Sequence, residues 1–232
     1  MSPDDAPRLG TGLQQVEGRA LKASKEEIRA SHRTRRAGLS PTVLDAAGAA
    51  IARHGLTWAN KLAGGGTGTF AAYLGVGSEP PTLPLLSAMH DAGHDILLPV
   101  CEPGLELSWV YWTPASGFVR SRYAPIPEPV GERHGPEIMQ SALGIVLPAT
   151  AVDFSGNRIG QGGGYYDKFL ARLASIRPGH KQPDDGGGPP LALPTAAVVY
   201  DAEVLPAGSI PAESFDRKVS AALTPGGLIR LL

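Results

Sequence analysis

The sequence holds a single cysteine, Cys101, among 232 residues. An intramolecular disulfide framework is therefore excluded, no set of thiolates is available for a zinc site, and a reducing cytoplasm is the compartment that fits. Long apolar runs are missing as well: proline, glycine or charge interrupts every hydrophobic stretch before the roughly 20 residues a bilayer crossing needs. Residues 1–19, with Pro3, Pro7, Asp4, Asp5 and three glycines, lack the apolar segment of a signal peptide and read as a disordered leader. Nor is there an excess of one charge. Lys and Arg number 21 against 22 Asp and Glu, a net charge of -1, so no polycationic surface is offered to nucleic acid and any positive site must be local. Neither membrane attachment nor a nucleic-acid partner is expected, and a monomer is.

What is present suits one globular domain over residues 20–232, with 42% apolar residues to build a core. Ser24 and Glu27 have the spacing of a capping box, predicting a helix to about Ala37. Ser40 before Pro41 starts a second helix, which Gly55 is expected to close. The apolar run 69–74, ended by Gly75 and Gly77, reads as a buried strand, 82–90 as a helix and 96–100 as a strand, so a parallel βαβ unit is implied. Further strands are expected over 105–112, 143–147 and 195–200, with 219–223 as an edge strand. The Pro/Gly-rich stretch 177–190 is too polar to pack and reads as a disordered insertion. The expected fold is a three-layer α/β/α domain with a mostly parallel sheet.

The densest chemical signal lies in residues 147–170. Tyr166, Phe169, Leu170 and Leu173 fall at i, i+3, i+4 and i+7, so a helix begins near Gly164, directly after Gly160, Gly162 and Gly163. Glycines before a helix N-terminus let backbone N–H groups approach an anion, the helix end adds partial positive charge, and Arg158 can add a fixed cation. The pattern is neither a Walker A loop nor a dinucleotide fingerprint, and the glycines alone serve a tight connection as well as a phosphate site.

Taken whole, the string resembles the signature of the 5-formyltetrahydrofolate cyclo-ligase family. Pro148, Ala151, Asp153, Gly156, Arg158, Gly160, Gly162, Gly164, Tyr165, Tyr166 and Asp167 keep the family pattern, and Ile159 replaces its leucine. The resemblance implies that Arg158, Ile159, Gly160, Gln161, Gly162, Gly163, Gly164, Tyr165 and Tyr166 wrap ATP and that Asp167 holds Mg²⁺. A carboxylate beside phosphates suits that hard cation. On the residues alone, Asp167 is equally an acid in a helix's first turn, and Tyr166 lies on the stripe that packs the core.

Lys25, Arg29, His32 and Arg36 share one helix face, which by itself reads as a solvated basic face. The family carries Lys-x-x-x-Arg contacting ATP on this helix, and Lys25 and Arg29 match it; Lys25 and Arg158 are the implied catalytic cations. The segment 73–82 resembles the family's folate-contacting loop, which assigns Leu74 and Glu79 to substrate, and Tyr123 is read as an aromatic wall of the same site. Glu79 is otherwise a plain loop acid. Asp216 matches the family's second magnesium contact, although Glu203 stands where family members often carry glutamine. The resemblance covers residues 22–224. It implies an ATP- and Mg²⁺-dependent closure of 5-formyltetrahydrofolate to 5,10-methenyltetrahydrofolate through a phosphorylated formyl oxygen. Fold likeness also leaves a non-catalytic nucleotide- or folate-binding paralogue, or another ATP- or sugar-phosphate-using enzyme on a related scaffold, as rival readings.

Overall fold

The computed structural model describes residues 24–176, 193–213 and 216–231. The expected leader over 1–19 and insertion over 177–190 lie outside the described residues. Helix α1 (Lys25–Ala37) opens as its capping box predicts: the Ser24 hydroxyl accepts from the Glu27 amide at 3.2 Å, and the Glu27 carboxylate accepts from the Ser24 amide at 2.7 Å. Helix α2 (Pro41–Leu62) starts on Ser40 but runs through Gly55, where it was expected to stop. The reason is packing. A Cβ on Gly55 would stand 2.6 Å from Leu85 Cδ1 and 3.0 Å from Leu223 Cδ2, so this glycine serves close approach to neighbouring elements and not helix termination.

After α2 come β1 (Thr69–Ala71), α3 (Leu83–Asp91), β2 (Asp95–Glu102), β3 (Glu106–Trp112), β4 (Phe118–Arg120), β5 (Pro127–Pro129) and β6 (Ala142–Pro148). Next are β7 (Ala151–Asp153), β8 (Arg158–Ile159), α4 (Tyr165–Ile176), β9 (Thr195–Val198), β10 (Val204–Leu205), β11 (Ala221–Thr224) and β12 (Gly227–Arg230). The main sheet runs β12-β11-β9-β6-β1-β2-β3. Its five inner strands pair in parallel, Phe70 lying opposite Ile96 as the βαβ reading requires, and antiparallel β3 and β12 close the two sides. Strand β11 was expected at an edge and is interior, because β12 pairs with it.

Alternation along the inner strands divides the core into two layers. Ile145 and Leu147 of β6 face Phe169, Leu170 and Leu173 of α4, whereas Val146 faces the other way onto Ile51 and Trp58 of α2 and Leu85, Leu86 and Met89 of α3. Each such side chain buried contributes about 1.5–3 kcal/mol. The three-layer α/β/α arrangement follows. A small sheet, β10-β7-β8, is covered by α1 through Ile28 against Ala151, Ile159 and Ile210.

Candidate active site

A cavity of about 730 Å³ opens at the carboxyl ends of β1, β2 and β6, where open α/β sheets place ligands. Its wall includes Tyr73, Leu74 and Glu79 after β1, Cys101 on β2, Pro148 at the end of β6, and Tyr123 near the β4–β5 hairpin. The glycine loop completes it: Arg158, Gly160, Gln161, Gly162, Gly163, Gly164, Tyr165, Tyr166 and Asp167 all line the cavity. The loop therefore meets the post-β1 segment in one space.

Local geometry explains the glycines. Gly162 has φ +94° and Gly164 φ +77°, a backbone region other residues enter only with strain. At Gly160 the constraint is contact: a Cβ there would lie 2.9 Å from Arg158 Nη1. The Arg158 side chain is buried, with Nη1 donating to the Pro148 carbonyl at 3.1 Å and Nη2 donating to Asp167 Oδ1 at 2.5 Å. Its Nε finds no partner among the described residues. Asp167 stands in the first turn of α4 with its side chain half-exposed.

Arg29 is tied to the loop, its Nε donating to the Gly160 carbonyl at 2.9 Å. Lys25 donates to Asp216 at 2.8 Å and to Glu213 at 3.3 Å. Burial pulls the Lys25 ammonium down, but hydrogen bonds and charge from Asp216 and Glu213 outweigh it and leave the pKa raised. Glu79 accepts from the Val76 amide and from Gln161 Nε2, each at 3.1 Å, which bridges the post-β1 segment to the glycine loop. Burial also pushes the Tyr166 phenol far above its ordinary range, so its hydroxyl stays protonated.

Some expected site residues stand apart. Lys25, Arg29, Ile159 and Asp216 are not part of the cavity wall, and Ile159 is core, packed with Ile28, Ala151 and Ile210. The basic face of α1 is not solvated along its length: His32 and Arg36 are each 3% exposed. Arg36 is held in a fork by Glu203, Nε and Nη2 donating to the two carboxylate oxygens at 2.7 Å each, and Nη2 also donates to the Ala149 carbonyl at 2.9 Å. This pair anchors α1 beside the site. Asp153, which the signature contains without assigning it a role, is fully buried and accepts from the amides of Ser155, Asn157 and Ile210 and from Asn157 Nδ2. It fixes the turn that delivers Arg158.

The family described as 5-formyltetrahydrofolate cyclo-ligase matches residues 21–225 of this chain. A curated relative of that name from Mycolicibacterium smegmatis is 33% identical over 162 residues, covering 68% of this chain and 73% of its own length. Two solved structures share the fold. The 5,10-methenyltetrahydrofolate synthetase of Aquifex aeolicus is 24% identical with a TM-score of 0.63, covering 89% of this chain and 92% of that one. A 5,10-methenyltetrahydrofolate synthetase from Mycoplasma pneumoniae is 14% identical with a TM-score of 0.61, covering 88% and 99%. One continuous match thus takes in α1, the post-β1 segment, the glycine loop and β11, and on that span the chain belongs to the 5-formyltetrahydrofolate cyclo-ligase family.

Proposed function

We propose that this chain is a ligase that closes 5-formyltetrahydrofolate to 5,10-methenyltetrahydrofolate while ATP becomes ADP and phosphate. The observation that supports this best is the shared cavity: a glycine loop with a buried arginine and a segment bearing Leu74 and Glu79 line one space. Glu79 would accept from the pterin's 2-amino and ring N–H groups, with Leu74 packed on its face and Tyr123 near the opening. A formamide oxygen is a poor leaving group. Transfer of the γ-phosphoryl group to the formyl oxygen makes it a good one, N10 then attacks the formyl carbon and gives up its proton to solvent, and the oxygen departs with phosphate. No side-chain nucleophile is needed, so catalysis is positioning and neutralisation of charge by Arg158, Lys25, Arg29 and the loop amides.

Asp167 and Asp216 are the residues that would hold magnesium, whose contribution is to offset phosphate charge. Asp167 is the one of the two placed for a cation arriving with a nucleotide in the cavity, Asp216 lying off its wall against Lys25. Among the described residues no cluster of three or more His, Cys, Asp or Glu forms a ready cage, while a half-exposed Asp167 on the cavity wall leaves room for phosphate oxygens and water. Engaging these carboxylates would release Arg158 and Lys25 toward phosphate.

The test is to follow methenyltetrahydrofolate by absorbance with purified chain, 5-formyltetrahydrofolate and magnesium, with and without ATP. Product that requires ATP supports the reading. Binding of both reactants without product would identify a binding paralogue instead.

A further inference from the structure

Tyr73 directly precedes Leu74 and lines the same cavity, yet neither the signature nor the proposed reaction uses it. Only 5% of the residue is exposed, and its hydroxyl is buried with no hydrogen-bond partner among the described residues. Folded proteins keep few such groups, since each costs about 1–3 kcal/mol. The orphan is also a permanent donor: burial, reinforced by Glu79 and opposed by Arg36, holds the phenol well above its ordinary pKa. It is not alone. The Tyr166 hydroxyl is likewise buried and unpartnered, and each phenol feels the charge of Glu79. Two donors without acceptors thus share the surroundings of one carboxylate.

A pterin supplies the complementary edge. Its 2-amino and N3–H groups are donors suited to Glu79, and the 4-oxo oxygen beside N3 is an acceptor that a carboxylate cannot serve. We propose that Tyr73 is a substrate-positioning residue whose hydroxyl donates to the 4-oxo oxygen of the bound pterin. This assignment rests on the folate reading of the cavity. As the substrate takes Glu79 from Gln161, the Tyr73 hydroxyl gains its acceptor. Tyr73 thereby adds a requirement for a carbonyl beside the N–H edge, so the site reads pterin by both donor and acceptor.

The experiment compares wild type with Tyr73→Phe in thermal midpoint, in binding of 5-formyltetrahydrofolate and 5-methyltetrahydrofolate, and in ATP-dependent turnover. The 4-oxo oxygen is common to both folates, so the substitution should weaken both by about five- to ten-fold, the value of one hydrogen bond. It should raise KM for folate with kcat and KM for ATP little changed, because the contact is made alike in ground and transition states. The midpoint should hold or rise, since removing an orphaned hydroxyl relieves the free protein. A lowered midpoint with unchanged folate affinity would make the hydroxyl structural and overturn the proposal. Loss confined to the formyl compound would overturn the 4-oxo assignment. Wild type that binds neither folate would overturn the functional reading itself, whereas wild-type binding matched by the Phe variant would overturn Tyr73 alone.

Discussion

Arg158, buried on β8, donates to Asp167 in the first turn of α4 at 2.5 Å. The cation that the glycine loop would present to phosphate and the acid assigned to magnesium therefore hold each other. Only the aspartate has a solvent face, its side chain being 46% exposed against 4% for the arginine. Of the two, the carboxylate is therefore the one that a cation from solvent would reach first.

Asp167→Asn separates a metal ligand from a helix-end acid. Asparagine keeps an oxygen for the guanidinium, so the thermal midpoint should move little, while loss of the charge should lower turnover by about 10²-fold or more. Turnover and midpoint measured across a magnesium titration decide it. Normal turnover at limiting magnesium would make Asp167 a helix-end acid of about 1 kcal/mol or less.

Lys25→Ala and Glu79→Ala should fail in opposite directions. Loss of one charge-assisted contact is worth roughly 10- to 100-fold in affinity, so the lysine variant should raise KM for ATP by that factor and hardly alter KM for folate. The glutamate variant should do the reverse. Equal weakening of both reactants by either variant would contradict its assignment.

Glu203→Ala should destabilise by about 3–5 kcal/mol, because it leaves the Arg36 guanidinium buried beside an empty space. Arg36→Met combined with Glu203→Leu should recover much of that loss. Denaturant midpoints for Arg36→Met alone, Glu203→Leu alone and the two together supply the cycle. Simple addition of the two single effects would show the pair to be uncoupled.

Acid should weaken the fold through His32. Desolvation, with Arg35 and Arg36 adding to it and Glu203 opposing, lowers the His32 pKa below its ordinary 6.5, and desolvation does the same to His94. The folded state thus favours neutral imidazole. The stability this contributes is complete above the unfolded pKa of 6.5 and is lost as pH falls below it toward the folded value. Urea unfolding at about pH 7.5 and about pH 5.5 should show the decline, and His32→Gln should reduce the difference. An unchanged pH slope in the variant would exclude His32 as its source.

Where local pattern decides structure, the sequence was legible. Ser24 and Glu27 cap α1, the run at 96–100 is β2, and the stripe of Phe169, Leu170 and Leu173 packs α4 as its spacing predicts. Gly55 was misread because a helical glycine that ends a helix and one that admits a neighbour look alike; only Leu85 and Leu223, distant in the chain, distinguish them. Strands β7, β8 and β10, of two or three residues, are too short for alternation to register, and half-exposed β12 carries too weak a pattern to mark an edge. The signature led to Arg158, Asp167 and the glycine loop, all on the cavity wall. It could not signal Tyr73, whose interest lies in a missing partner, nor reveal that the charge on Arg36 answers Glu203.

Contacts so far apart in the chain also set when the site can exist during synthesis. Arg36 meets Glu203 167 residues later, and Lys25 meets Asp216 191 residues later. Helix α1 leaves the ribosome well before either acid has been translated, and its capping box gives it local support without a docking surface. The sheet of α/β units can begin to assemble behind it, but α1 gains these two anchors only when nearly the whole chain has emerged. A nascent chain halted before Glu203 would carry the glycine loop and most of the parallel strands while α1 still lacked both anchors, so this helix is fixed beside the cavity late, by residues from the chain's last quarter.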